Sequence, residues 1–339
     1  MRWSCSREQS EEIAFDEVLF VSQQLLNPLG GKNLEQSFVA WAKMRAYRLP
    51  QAKLGIGDDA AVLANVGRDT VVTTDTMMDG VHFESGSVDA RRIGRKLVAA
   101  NLSDLAAMAA RPVAILLSMC IPITDDPASD ELLAAEIYEG VCQSAEQHRV
   151  AIVGGDTNCW SGPLVLSLTA VGEVVEGEIW TRSGAKPGDL VVVTGALGGS
   201  ILGKHLDFTP RLEWVEQVRS RVQVDAAMDI SDGLSVDLLR MCDASHCGAV
   251  LDLDTIPVAA AAIELSQNSG KSPLEHALGD GEDFELLIAL PQDELAGLQA
   301  IVGSDKAIAC GTFTSRTGLW AREGARIRQM AATGYIHGQ

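Results

Sequence analysis

Residues 91–120, RRIGRKLVAANLSDLAAMAARPVAILLSMC, hold the stretch on which the fold turns. Alanine and leucine at helical spacing predict a helix over 91–110, and the apolar run after Pro112 predicts a buried strand over 113–120. Helix therefore feeds strand within a few residues. Asp104 shares a helical face with Leu97, Asn101 and Met108, a face that ought to be buried. A buried carboxylate without a partner costs several kcal/mol, so Asp104 must meet a cation, a hydrogen-bond donor or a proton.

Working outward, Leu34, Phe38, Trp41 and Ala42 predict a helix over 34–48 that Pro50 closes, followed by short strands at 60–63 and 70–74. On the other side come a helix over 129–148 and strands at 150–153 and 164–174. The glycine and charge cluster Glu176-Gly177-Glu178 marks a boundary, after which the same grammar recurs: a strand at 190–194, a glycine-rich turn, helices, an aspartate-bearing segment at 229–232, and strands at 284–290 and 307–313. Lacking the regular beat of a doubly wound sheet, this alternation predicts an α+β protein of two mixed domains, 35–177 and 178–339, behind an N-terminal extension over 1–34. A chain of 339 residues with 47% hydrophobic content can fill two cores.

Composition narrows the function. With 27 basic against 46 acidic residues the net charge is −19, which disfavours nucleic acid and anionic lipid as partners. No run approaches the roughly 18 apolar residues of a membrane span. The first residues lead into Glu11-Glu12 without an apolar core, so no secretory signal is expected. Seven cysteines without a C-x-x-C pair point to reduced thiols and a cytoplasmic setting.

Aspartates gather where apolar runs are expected to stop: Gly57-Asp58-Asp59, Thr73-Thr74-Asp75, Gly154-Gly155-Asp156 and Asp229-Ile230-Ser231-Asp232-Gly233. Were these to converge with Asp104, each pair about 4 Å apart would repel by about 4 kcal/mol at an effective dielectric near 20. Oxygen ligands with few histidines suit Mg²⁺ rather than zinc, and Mg²⁺ completes its shell with water and substrate phosphates. The residues alone thus reach a divalent cation and a phosphorylated small molecule. Gly198-Gly199-Ser200-Ile201-Leu202-Gly203-Lys204-His205 nearly fits a P-loop, but His205 stands where the metal-binding hydroxyl belongs, and it reads as a glycine turn opening a helix. Cys242, His246 and Cys247 lack a fourth metal ligand nearby and read as ordinary thiols.

Taken together, Gly55-Ile56-Gly57-Asp58-Asp59, Thr74-Asp75 with Gly80-Val81-His82-Phe83, Asn101-Leu102-Ser103-Asp104, Gly154-Gly155-Asp156-Thr157, Arg182-Ser183-Gly184-Ala185-Lys186-Pro187-Gly188-Asp189, Asp229-Ile230-Ser231-Asp232-Gly233 and Gly281-Glu282-Asp283-Phe284 resemble the thiamine-monophosphate kinases. The match runs from about residue 35 to 337 in family order. The resemblance implies the aminoimidazole ribonucleotide synthetase-like fold, a homodimer joined through N-terminal-domain strands, and transfer of phosphoryl from ATP to thiamine monophosphate. It implies that Asp59, Thr73, Thr74, Asp75, Asp104, Asp156, Asp229 and Asp232 hold several Mg²⁺ ions, with Asp104, Asp229 and Asp232 central to catalysis. Tyr138, Gly155, Asp156, Arg182 and Ser231 match nucleotide-contacting positions, and His82, Glu282 and Tyr335 match substrate-contacting ones. Ala109, Gly199 and Phe284 depart from the residues usual in the family. The competing readings are a sister enzyme that phosphorylates a carbonyl or amide oxygen, and an acidic Ca²⁺- or nucleotide-binding module without catalysis.

Overall fold

The computed structural model describes residues 52–54, 58–64, 68–175 and 179–335. The N-terminal extension, the helix over 34–48, the Gly55-Ile56-Gly57 turn and the cluster at 176–178 lie outside the described residues.

The first half comprises β1 (Ala52–Leu54), β2 (Ala61–Leu63), β3 (Thr70–Met78), α1 (Ala90–Ala107), β4 (Ala110–Pro122), α2 (Pro127–Gln147), β5 (Ala151–Trp160) and β6 (Val165–Val174). Its strands form one sheet in the order β1-β2-β3-β6-β4-β5, antiparallel except for the β4–β5 pair. Leu166, Leu168 and Ala170 on alternate positions of β6 are buried in a core with Ile93, Leu97, Ile115, Ile137 and Val141, so both helices cover one sheet face. Each such leucine contributes about 1.5–3 kcal/mol by leaving water.

Helix α1 starts where the Asp89 side chain accepts a hydrogen bond from the Arg91 N–H at 2.8 Å. It stops at Ala107, capped by Met108, and Ala109, with a left-handed φ of 53°, turns the chain directly into β4, where Ala110 pairs with Val174. The helix is thus shorter, and the strand longer at its start, than apolar spacing alone predicts. Helices α1 and α2 approach at two glycines. A Cβ at Gly94 would collide with the Ile137 backbone oxygen, and one at Gly140 with the backbone oxygen of Arg91.

The second half contains β7 (Leu190–Val193), α3 (Lys204–Asp207), α4 (Leu212–Val218), β8 (Ala226–Asp229), α5 (Leu234–Ala244), β9 (Gly248–Asp252), α6 (Ala260–Ser269), α7 (Pro273–Gly279), β10 (Leu286–Leu290), α8 (Leu295–Val302), β11 (Ile308–Thr314), β12 (Gly318–Glu323) and β13 (Arg326–Gln329). The sheet order is β13-β12-β9-β11-β7-β10-β8, with β9 and β12 the parallel pair. Every residue of β10 is buried, as its unbroken apolar sequence demands. One side of this sheet packs Met228, Leu238 and Leu287; the other packs Trp180, Val192, Trp214 and Ile288 together with Ala106 and Ala107 of α1. The C-terminal turn of α1 therefore sits in the core of the second half, which fixes Ser103 and Asp104 at the junction.

Two expectations need correction. Asp75 does not follow a strand end but lies mid-way along β3, which continues to Met78 because it pairs with β6 along its whole length. Gly154-Gly155-Asp156 is likewise inside β5, paired in register with Leu116, Leu117 and Ser118 just after a register shift that skips Val153. No described helix is long and apolar enough to cross a membrane.

Candidate active site

The junction gathers carboxylates from four separate stretches. Asp59 precedes β2, Thr73 and Asp75 share one face of β3, Asp104 comes from α1, and Asp229 is the last residue of β8. Carboxylate oxygens of Asp59, Asp104 and Asp229 lie within 4.8 Å of one another. Thr73 Oγ1 donates to Asp104 Oδ2 at 2.6 Å, and Ser103 Oγ donates to Asp229 Oδ2 at 2.6 Å, so the half-buried Asp104 and the buried Asp229 each have a hydroxyl partner. Hydroxyls do not neutralise charge. Burial, followed by the charges of Asp75, Asp229 and Asp59, holds the Asp104 carboxyl well above the usual range; burial and Asp59 do the same to Asp229. Asp75 is pushed up to about 6 by burial and by Asp59.

Arg182 supplies a cation here. Its Nε and terminal nitrogen grip both Asp59 oxygens at 3.0 and 2.9 Å, while its backbone N–H donates to Asp58 at 3.1 Å. Four clustered carboxylates against this guanidinium leave an oxygen-rich site that fits a hard divalent cation, with Asp59, Asp104 and Asp229 best placed to hold it.

The loop after β8 is built on Asp237. One oxygen of that buried side chain accepts the N–H groups of Ser231, Asp232 and Gly233 at 3.1, 3.0 and 3.2 Å; the other accepts from Arg240 at 2.7 Å. Arg240 also binds the Asp232 carboxylate at 2.5 Å, so Asp232 stands outside the trio of Asp59, Asp104 and Asp229.

Two turns back along α1, Lys96 is wholly buried. Its ammonium donates to the His82 carbonyl at 2.8 Å and to Glu282 Oε1 at 2.6 Å. His82 Nδ1 in turn accepts the Met78 N–H at 3.1 Å. Glu282 and Phe284 both have left-handed backbones, φ 52° and 50°, which delays β10 to Leu286 where a strand from 284 was expected. Ser231 O accepts the Glu282 N–H at 2.6 Å, and Asp232 O accepts the Tyr335 N–H at 2.9 Å, so both expected substrate positions attach to the loop after β8.

Other expected site residues lie apart from the trio. The Thr74 side chain is on the opposite face of β3, donating to the Leu168 carbonyl. Asp156 is exposed on β5 and accepts from Asn158 at 2.7 Å; Gly155 sits where any Cβ would strike the Leu117 backbone. Tyr138 is exposed on α2. The P-loop look-alike spends its donors inside the chain: Gly198 N–H on Asp283, Gly199 N–H on Asp280, Lys204 on Glu285. Ser103, Lys96, Asp237 and Arg240 escaped the sequence reading.

Comparison with known proteins agrees with this two-part build. Residues 57–174 match the family "AIR synthase related protein, N-terminal domain", and residues 186–321 match its C-terminal domain. A thiamine-monophosphate kinase of Rhodopirellula baltica is 42% identical over 315 residues, covering 90% of this chain and 98% of its own. This chain belongs to the thiamine-monophosphate kinase family. A solved member, described as "AaThiL complexed with AMPPCP and TMP", superposes with a TM-score of 0.76 at 25% identity over 91% of this chain and 99% of its own. The Stenotrophomonas maltophilia kinase gives 0.66 at 30% identity over 87% and 98%. For a member of this family, the two matched domains and the α+β architecture of two mixed sheets accord with the expected fold class.

Proposed function

We propose that this chain phosphorylates thiamine monophosphate with ATP, giving thiamine diphosphate and ADP by direct in-line transfer. The observation that carries the reading is the meeting of buried and half-buried carboxylates from both halves of the chain at one junction. The attacking oxygen of a phosphate monoester is already anionic near neutral pH, so a general base contributes little. The obstacle is repulsion between two polyanions. A divalent cation held there would supply the positive charge that offsets this repulsion. Asp59, Asp104 and Asp229, with Asp75 beside them, would hold it, and Thr73 and Ser103 keep those carboxylates aimed. Thr74, Asp156 and Asp232 complete the expected ligand set, Asp232 with one of its oxygens paired to Arg240. Gly155, Asp156, Arg182, Ser231 and Tyr138 are assigned to the nucleotide, and His82, Glu282 and Tyr335 to the acceptor.

We also infer a cytoplasmic homodimer of two domains, 35–177 and 178–339. In support of pairing, outer strand β5 is exposed along nearly its full length and carries exposed Val153 and Trp160. In support of the compartment, all six described cysteines are thiols.

A coupled ADP assay over a panel of acceptors, namely thiamine, thiamine monophosphate and an aminoimidazole precursor, tests the reading. ADP release should require Mg²⁺ and thiamine monophosphate together. Release driven by the imidazole precursor instead would favour the sister chemistry, and nucleotide binding without turnover on any acceptor would favour a regulatory module.

A further inference from the structure

Lys96 has no exposed side-chain surface, and an ammonium is not buried without cause. Helix α1 has other means of gripping the second half. Arg92 pairs with Asp207, at 3.1 Å from Nε, and Arg95 donates to the Leu206 and Phe208 carbonyls at 2.8 and 2.7 Å. Those contacts secure α3 against α1, so Lys96 is not needed to join the halves. What it does instead is hold together two groups from distant parts of the chain: the His82 carbonyl, from the turn after β3, and the Glu282 carboxylate, from the strained segment before β10. Glu282 keeps 30% of its side chain open to solvent.

The position along the helix is as telling as the partners. Lys96 and Ser103 are seven residues apart, two turns on one stripe, hence about 10 Å along the axis. Ser103 holds Asp229 in the carboxylate cluster. A phosphate placed at the cluster would therefore extend its organic portion along the stripe toward His82 and Glu282. That portion of thiamine monophosphate carries a permanently cationic thiazolium and an aminopyrimidine, groups that a fixed carboxylate recognises.

We propose that Lys96 is the positioning residue of the acceptor subsite, its ammonium clasping the His82 turn and the Glu282 carboxylate into one recognition surface for the thiamine moiety. This rests on the assignment of His82 and Glu282 to the acceptor made above. Lys96 touches neither the nucleotide nor the reacting phosphates in this scheme, so its effect is confined to acceptor binding.

Lys96→Met retains the aliphatic stem and deletes the clasp. Steady-state kinetics should show KM for thiamine monophosphate raised about tenfold or more, as for loss of a charged hydrogen bond, with KM for ATP within about twofold. Calorimetric titration of thiamine monophosphate should show the same weakening, and titration of a non-hydrolysable ATP analogue should show none. Lys96→Arg, which restores charge in a larger head, should recover part of the acceptor affinity. An unchanged acceptor KM in a folded Lys96→Met protein overturns the proposal, as does equal weakening of acceptor and nucleotide. If Lys96→Met does not fold, the wild-type chain labelled with ¹⁵N-lysine carries the test: the slowly exchanging Lys96 ammonium signal should shift on adding thiamine monophosphate and not on adding the ATP analogue, and the absence of that selectivity overturns it. Wild-type protein that releases no ADP with thiamine monophosphate refutes the proposed function; wild-type turnover with an indifferent Lys96 refutes this inference alone.

Discussion

Two groups of buried acids sit on the same molecule and behave in opposite ways. Around Glu285, 2% exposed, burial raises the carboxyl, but Arg211 donates twice, at 2.7 and 2.5 Å, Lys204 binds at 2.9 Å and Thr194 at 2.7 Å; together they bring its pKa below the ordinary value. Around Asp229, 3% exposed, and the half-buried Asp104 beside it, the partners are hydroxyls, Arg182 is taken by Asp59, and both carboxyls are held well above the ordinary range. The first group is complete as it stands, a polar strut supporting the turn at Gly195, where any Cβ would meet the Glu285 carboxylate. The second is complete only with something positive added. Burial alone does not separate structural from functional charge; the balance of neighbouring cations does.

The sharpest way to break this contrast is to remove one charge from each group. Asp104→Asn or Asp229→Asn should cut turnover by about a hundredfold or more in the ADP assay, while unfolding in the absence of metal becomes no easier, because mutual repulsion is relieved. A variant turning over at near wild-type rate, or one that melts well below wild type without metal, would place these acids with the structural group. Arg211→Met should do the reverse. Stripping Glu285 of its two-point cation should cost about 2–3 kcal/mol of unfolding free energy, read by urea denaturation, with kcat of the folded fraction unchanged. A smaller effect, about 1 kcal/mol, is expected at Asp283, whose pKa is pushed up to about 6 from 3.8 by burial despite Lys204 at 3.5 Å, and whose Oδ1 lacks a hydrogen-bond partner among the described residues. A carboxyl raised in the folded state contributes stability in full below its unfolded value and loses it as pH rises through about 6. Asp283→Asn should therefore flatten the fall in stability between about pH 4 and pH 6 and leave the protein slightly more stable at about pH 7.5. A curve parallel to wild type would show that Asp283 does not titrate in that window.

Much of the first contrast was readable from residues alone. Asp104 announced itself as a carboxylate on an apolar stripe, and Asp229 does end a strand. Asp75 and Asp156 misled because the reading tied aspartate and glycine to turns, whereas ladder pairing with β6 and β4 extends both strands through them. Lys96 and Asp237 went unnoticed although the signal was there. Lys96 precedes Leu97 and lies one turn from Ala99 and Ala100, all buried, and Asp237 falls on the stripe of Leu234 and Met241. The reasoning that singled out Asp104 applies to both. What could not be read is Glu285: its partners Arg211 and Lys204 lie 74 and 81 residues away, and spacing carries no sign of that meeting.

The glycine interlock of α1 and α2 acquires a wider meaning from what α1 carries. A single rigid rod presents Lys96, Ser103 and Asp104, and its sliding register is set at Gly94 and Gly140. One methyl group inserted at Gly94 would wedge the rods apart and displace Asp104, ten residues or about 15 Å farther on. Harm to chemistry would then arise with every ligand side chain intact, which makes this crossing a poor place to harden the enzyme and a good place to look for variants that are folded yet silent.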